Sequence, residues 1–326
     1  MALRRFAIDP RRVNPADLAA PARLLREGAL VAFPTETVYG LGARANDDGS
    51  VRAIFDAKGR PSTNPVIVHV ATLAQARALS SRWDERAEAL ARTVWPGPVT
   101  LVVPRADDVP DAVTAGGDTV GIRIPDHPVA WPLLRLAGVP VAAPSANRSG
   151  SVSPTEASHV LDELGDRIDA LVDGGACRFG LESTVVSLVG TPRVLRAGAF
   201  PLAQLRSLLP DLAPYAPAFH DDDGAADAPG QSRRHYAPRA RLTFSAPTAD
   251  ERADGVLALG LSAGESGDNG VLRITLPNDP VGYAAGLYAA LRRFDSFDVG
   301  RVYVEPLPWD DGWEAIRDRL ARAGSP

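Results

Sequence analysis

Ala29-Leu-Val-Ala-Phe-Pro-Thr-Glu-Thr-Val-Tyr-Gly-Leu-Gly42 begins as an apolar run and changes at Pro34 into hydroxyls, one acid and two glycines. Residues 29–33 read as a buried strand, entered after a helix stop at Gly28. The loop from Pro34 to Gly42 then places small, hydroxylated residues where a ligand is expected, because open α/β sheets bind ligands beside strand ends. Gly40 and Gly42 lack the third glycine and the following acid of a dinucleotide fingerprint, so that type of site is rejected. Either they serve a ligand or they relieve a tight turn.

Upstream, residues 15–27 read as an amphipathic helix. Downstream, helices are expected near 50–58, 72–92, 127–137 and 155–165, and strands at 65–70, 100–104, 119–124, 139–143, 170–173, 184–189 and 193–196. Strands mixed irregularly with helices predict an α/β domain with a mixed sheet. From Pro210 to about Arg241 the chain is rich in Pro, Ala, Asp and Gly, with an acidic run Asp221-Asp-Asp223, and reads as a linker. Beyond it, segments 255–259 and 299–305 with helices at 281–293 and 313–323 predict a small second α/β domain. A few short strands, counted as three with one left unplaced, and two helices would be marginal alone and should pack on the first domain.

Composition excludes several classes. The 326 residues suit about two domains, and 45% hydrophobic with 23% charged residues is globular. Residues 1–210 carry 23 Lys/Arg against 22 Asp/Glu and residues 211–326 carry 12 against 18, a net charge of -5 overall, so any anion site is a local cluster. Cys177 is the only cysteine, which rules out an intrachain disulfide and a Cys-based zinc site. Five scattered His residues lack helical metal-site spacing, and no protein-ligated metal is expected. No apolar run reaches signal-sequence or membrane-spanning length, which predicts a cytoplasmic protein.

The chemistry-bearing residues cluster in loops. Lys58 is the one lysine beside thirty-four arginines, in Lys58-Gly-Arg-Pro-Ser-Thr-Asn-Pro65. A compact ammonium next to the planar fork of Arg60 would make a phosphate clamp, stiffened by Pro61 and Pro65. In Thr119-Val-Gly-Ile-Arg-Ile124 the period-two alternation puts Thr119, Gly121 and Arg123 on one face, with Arg123 reaching into either a cleft or a salt bridge. In the stretch Val141-Ala-Ala-Pro-Ser-Ala-Asn-Arg-Ser-Gly-Ser-Val-Ser-Pro-Thr155, Ser153 or Thr155 is placed to cap the next helix.

Taken together, Pro34-Thr-Glu-Thr-Val-Tyr-Gly-Leu-Gly, Lys58-Gly-Arg-Pro with Asn64-Pro65 and Val68-His-Val, Ser145-Ala-Asn-x-Ser-Gly-x-x-Ser-Pro-Thr155, Glu182-Ser-Thr-Val-Val and Leu195-Arg resemble the YrdC domain in order and spacing. The segment Ala228-Pro-Gly-x-x-x-Arg-His-Tyr-Ala-Pro238 and the tail resemble the two-domain, Sua-type members. The resemblance implies a YrdC-like twisted mixed sheet with helices over residues 1–210, a linker or lid over 211–241, and a small C-terminal, Rossmann-like α/β domain over 242–326. It implies an L-threonylcarbamoyladenylate synthase, a nucleotidyltransferase that forms threonylcarbamoyl-AMP and pyrophosphate from L-threonine, bicarbonate or CO2, and ATP. A downstream threonylcarbamoyl transferase complex would use the product to modify tRNA.

Carried over by position, Lys58 and Arg60 would engage the phosphates as catalytic groups, with Asn64, Thr119, Asn147, Thr155 and Arg196 also binding ATP. Thr37, His69, Arg123, Ser145 and Ser183 would surround threonine, although His69 could equally be a core histidine. Mg2+ would travel with ATP, held by phosphate oxygens and water. His235 and Tyr236 would close as a lid over the nucleotide, or else simply dock the linker. Two alternatives are an RNA-binding module, disfavoured by near-neutral charge and few aromatics, and a hydrogenase-maturation carbamoyl-transfer domain, disfavoured by the single cysteine.

Overall fold

The computed structural model describes residues 3–217, 229–230, 233–245, 254–260, 263–268, 270–310 and 312–325. The acidic run Asp221–Asp223 lies outside them. Ten strands form the first sheet: β1 (Arg4–Ala7), β2 (Val31–Phe33), β3 (Gly40–Arg44), β4 (Val68–His69), β5 (Val99–Pro104), β6 (Thr119–Arg123), β7 (Val141–Ala142), β8 (Ala170–Asp173), β9 (Thr184–Ser187) and β10 (Arg193–Arg196). Their spatial order is β1-β8-β2-β3-β7-β4-β6-β5-β9-β10, a mixed sheet. The helices of this part are α1 (Pro15–Arg26), α2 (Asp48–Lys58), α3 (Leu73–Ala78), α4 (Glu85–Val94), α5 (Asp111–Thr114), α6 (Ala130–Ala137), α7 (Ala157–Leu164) and α8 (Leu202–Leu208). The second sheet has order β11-β15-β12-β14-β13, from β11 (Arg241–Thr243), β12 (Gly255–Gly260), β13 (Gly264–Asp268), β14 (Val271–Pro277) and β15 (Arg301–Val304), with helices α9 (Pro280–Ser296) and α10 (Glu314–Ala323). It is parallel except for the β13–β14 hairpin.

Local chemistry sets the helix ends. Asn14 and Asp47 accept from backbone amides at the start of α1 and α2, and Gly59 ends α2 at φ +61°, a left-handed turn that favours glycine. The expected single helix over 72–92 is two. Leu79 closes α3, Ser80 donates to the Pro104 carbonyl, and Asp84 caps α4 at Ala87 N. Hydrophobic periodicity cannot register that interruption, because the break is made by side chains bonding to a distant strand.

Other expectations are corrected. The loop after β2 ends earlier than Gly42, since Gly40 already begins β3, which pairs antiparallel with β2. Gly42 is required for close approach: a Cβ there would lie 2.6 Å from Phe33 Cε1 and 2.9 Å from Val141 Cγ1. Strand 65–70 shrinks to β4, because Pro65 has no N–H and Val66 N bonds instead to the Val113 carbonyl. The second sheet has five strands rather than three, the polar hairpin arm β13 having little apolar signal.

Alternation across the first sheet decides where the site lies. Ala142, Val68, Ile122, Leu101 and Val186 are neighbours in register and wholly buried in the main core. On the other face, α1 and α6 cover only the half around β8, β2 and β7, through Leu18, Leu25, Leu133, Leu134, Val31 and Val141. The uncovered half carries Ile67, Val102, Val185 and Leu195 as a small separate cluster. A cleft lies there, on the face of the sheet rather than beside its strand ends as expected from the open-sheet rule.

Replacing Gly42 with Val should destabilise the protein by roughly 1–3 kcal/mol, the range for overpacking a filled interior. Urea unfolding checks this, and an unchanged midpoint would contradict the close approach.

Candidate active site

Two adjoining clefts, with volumes of about 50 and 210 Å3, occupy this half of the sheet face and share Ile67 and Pro229. The first is lined by Thr37, Arg60, His69, Arg123, Ser145, Ser183, Arg196, His235 and Tyr236 among the residues expected from sequence. The second holds Thr119 and Gly121, with Thr100, Val102 and Val185.

The cations are fixed by carbonyl and side-chain oxygens. Arg60 Nε and Nη2 donate to the Asn64 carbonyl at 3.1 Å, Asn64 Oδ1 at 2.6 Å and the Pro65 carbonyl at 2.8 Å. Arg196 donates to Ser183 O and Oγ and to the Pro229 carbonyl. Burial lowers the Arg60 pKa to about 10, so the group stays cationic near neutral pH. Lys58 does not line the cleft. Its buried ammonium donates to the Ser145 carbonyl at 2.5 Å and to the Asn147 carbonyl, and burial, then Arg60, lowers its pKa well below the ordinary lysine value.

Asn64, Asn147 and Thr155 likewise stand behind the wall. Asn147 Nδ2 donates to the Arg148 and Ser151 carbonyls, shaping the turn after β7. The capping expectation at 153–155 fails. Glu156 is the N-cap of α7 without a side-chain bond, Thr155 Oγ1 faces His159, and Ser153 donates to Glu182 Oε1 at 2.6 Å. That serine is drawn inward by a buried carboxylate, a pull no helix-start pattern reveals.

The question left open for Arg123 resolves both ways: it lines the cleft and it forms an ion pair. Its Nε donates to the Gly97 carbonyl and its Nη1 to Thr37 Oγ1 at 3.0 Å, while Nη2 lies 2.5 Å from Glu36 Oε1. The last approach lacks hydrogen-bond alignment and is a charge contact, since neither atom has a hydrogen-bond partner. With five N–H groups, Arg123 retains donors for a ligand.

Among the described residues, three buried polar atoms of the cleft have neither a hydrogen-bond nor an ion-pair partner: His69 Nδ1, His235 Nδ1 and Tyr236 Oη. Such atoms are costly unless something polar meets them. Burial, then the Arg123 charge, lowers His69 to about 3, and burial does the same to His235, so both imidazoles are neutral. Gly40, left open between a ligand and a turn, lines the cleft, whereas sequence reasoning gave no role to Thr35, Glu36, Ile67 and Glu182, which line the cleft or pair with its arginine. Glu36 and Glu182 stood inside quoted motifs, and a lone acid beside hydroxyls was the available signal.

A hydrophobic floor, a rim of immobilised cations and a wall of hydroxyls make a site with the chemistry for an anionic ligand beside a polar one. Comparison makes the family specific. Residues 23–198 match the family of Sua5, YciO and YrdC proteins, described as Telomere recombination, and residues 201–325 match the threonylcarbamoyl-AMP synthase C-terminal domain. The chain is 39% identical to the threonylcarbamoyl-AMP synthase of Pyrococcus abyssi (96% of this chain, 95% of the relative) and 40% identical to that of Bacillus subtilis (97% and 95%). The crystal structure of P. abyssi Sua5 complexed with L-threonine superposes with a TM-score of 0.88 at 36% identity, covering 99% of this chain and 98% of that one. The chain belongs to the threonylcarbamoyl-AMP synthase family.

The buried histidines set an acid limit. His69 and His235 are lowered to about 3, and His127 and His159 to about 4, in each case chiefly by burial. The unfolded chain binds protons at His near pH 6.5, so the stability from keeping these rings neutral is whole above that value and is lost as pH falls toward 3. Glu182, held down to about 2 by Arg319 and Arg196 against the opposing effect of burial, adds a second loss below its ordinary value of 4.5. Thermal unfolding should therefore show Tm falling steadily from pH 6.5 to 4, and a flat profile would contradict the buried neutral rings.

Proposed function

We propose that the paired clefts join L-threonine, bicarbonate or CO2, and ATP into threonylcarbamoyl-AMP with release of pyrophosphate. The single observation that carries this reading is the convergence of Arg60 and Arg196 with Thr37, Arg123 and Ser145 on one sheet face, around buried polar atoms that lack hydrogen-bond partners among the described residues. The threonine named in the related P. abyssi structure supports the same assignment.

The threonine nitrogen attacks the carbon of CO2 and loses a proton, giving a carbamate. A carbamate oxygen then attacks the α-phosphorus, and the bond to the bridging oxygen breaks with its electron pair leaving on pyrophosphate. Alignment and cations are the main demands of such a step. Arg60 has no protein acceptor at Nη1 among the described residues and offers it to the phosphates. Arg196 faces them from β10. Lys58 supports the clamp from behind the wall by anchoring the 145–147 turn, which carries Ser145 toward threonine. Arg123 receives the threonine carboxylate on its remaining N–H groups, with Thr37 beside it and Ser183 across the cleft. His69, neutral, supplies an unpaired ring nitrogen to the amino acid.

The nucleoside lies over Thr119 and Gly121 in the second cleft, with Asn64, Asn147 and Thr155 holding the surrounding turns. His235 and Tyr236, which line the first cleft, cover the phosphate end of the nucleotide where the two clefts join. Of the carboxylates at the clefts, Glu36 is engaged by Arg123 and Glu182 by Arg319, Tyr288 and Ser153, while Asp118 stands at the wall of the second cleft. Mg2+ enters as part of the nucleotide substrate, on phosphate oxygens and water. In this reading residues 1–210 are the catalytic domain, 211–241 the linker and lid, and 242–326 the C-terminal domain. The product passes to a tRNA-modifying threonylcarbamoyl transferase complex in the cytoplasm. No helix among the described residues is long and apolar enough to cross a membrane.

Pyrophosphate release should require threonine and bicarbonate together, and release that ignores threonine would overturn the assignment. Lys58→Ala, which releases the 145–147 turn, should slow it by roughly 100-fold, the scale of a site displaced by about 1 Å. Gly121→Leu, which fills the floor against Thr100 and Ile67, should raise KM for ATP more than KM for threonine. The opposite order would exchange the two clefts.

A further inference from the structure

We infer that Arg319, on the closing helix of the second sheet's unit, is a positioning residue for the catalytic cleft, locking Tyr236 and two strand ends of the first sheet into one rigid frame. The inference rests on the nucleotide reading above and goes beyond it, because Arg319 touches no cleft-lining cation and lies in a part of the chain whose role the sequence leaves open.

The guanidinium is wholly buried and makes four contacts. Nε donates to Glu182 Oε2 at 2.9 Å, Nη1 to Asp318 Oδ2 at 2.6 Å and Nη2 to the Ala197 carbonyl at 2.8 Å, and its carbon sits 4.7 Å from the centre of the Tyr236 ring. Glu182 precedes Ser183, and Ala197 follows Arg196. From the cleft side, Arg196 itself bonds Ser183 O and Oγ. The ends of β9 and β10 are thus stapled twice, by Arg196 in front and Arg319 behind, and the Ala199 amide adds a bond to the Glu182 carbonyl. A five-donor planar fork can hold two oxygens from different strands and stack on a ring at once, which a lysine cannot.

Tyr236 is the third member of the frame. Its φ is +60°, a left-handed conformation uncommon for a residue with a bulky side chain, so the surroundings must hold it there. They do so from every side. The Tyr236 ring stacks on Tyr288 of α9 at 5.8 Å, His235 N bonds the Arg322 carbonyl, Ala237 N bonds the Gly150 carbonyl, and Gly230 leaves room for the phenol. Tyr288 also donates to Glu182. The charges close on themselves: Glu182 and Asp318 against Arg319 and Arg322. Such a neutral, fully bonded group favours one geometry over near alternatives.

The test compares Arg319→Lys, the charge-neutral pair E182Q/R319Q, and a control, Arg317→Lys, on the same helix but bonded outward to the Pro308 carbonyl. Steady-state pyrophosphate release, calorimetric binding of a non-hydrolysable ATP analogue, calorimetric threonine binding without nucleotide, and Tm are measured. Arg319→Lys should fold, raise KM for ATP and weaken the analogue about tenfold, and change threonine binding by less than about threefold because Arg196 still holds Ser183, a split that a loss of folded protein alone cannot produce. E182Q/R319Q should follow the same pattern, and Arg317→Lys should match the parent chain. Normal analogue affinity and KM in Arg319→Lys, with only Tm lowered, would overturn the inference. So would equal loss of both substrates. Analogue binding reads Arg319 even if pyrophosphate release proves independent of threonine, which separates failure of this inference from failure of the synthase reading.

Discussion

A guanidinium inside a protein must have its N–H groups met by oxygens, and among the described residues five arginines are buried, at 60, 123, 196, 319 and 322. Desolvating such an ion is tolerable only with full hydrogen bonding or a paired charge. The site is the arrangement that meets most of this demand and leaves Arg60 Nη1 without an acceptor among the described residues. Arg60 is met by the Asn64–Pro65 turn, Arg196 by Ser183 and Pro229, Arg123 by Gly97, Thr37 and Glu36, and Arg319 by Glu182, Asp318 and Ala197. Each arginine therefore specifies the loop around it as well as contributing charge.

The half-covered sheet supplies the place. One face is buried in the main core, while on the other α1 and α6 stop short, leaving a shallow apolar floor at Ile67, Val102, Val185 and Leu195. Because side chains alternate, every second residue of β4 and β6 reaches that floor, which puts His69 and Arg123 side by side in register. The second sheet's unit then closes the back of the cleft through α9 and α10, so that two segments far apart in sequence meet at Glu182.

Much of this was legible beforehand. The strand before Pro34, the Lys58–Pro65 segment and the alternation of Thr119, Gly121 and Arg123 could be read from residue type and spacing, and Thr119, Gly121 and Arg123 do line the clefts. Lys58 was legible as an exception in composition, whereas its bonds to the Ser145 and Asn147 carbonyls were not. Nor was the redirection of Ser153 from a helix cap to Glu182, the break between α3 and α4, or the position of the cleft on the sheet's face. Each of these depends on an atom supplied by a distant element, which local periodicity does not encode.

The sequence by itself determined the mixed α/β class, the family and the residue types gathered for binding, because these follow from short-range pattern and from motifs kept in order. Only the tertiary structure decided which of those residues face the ligand and which hold the wall. It also decided that Arg319 and Tyr236, eighty-three positions apart, stack against each other. The physical reason is that a buried charge is satisfied by whichever acceptors the folded chain brings within about 3 Å, and that proximity exists only once both sheets have packed.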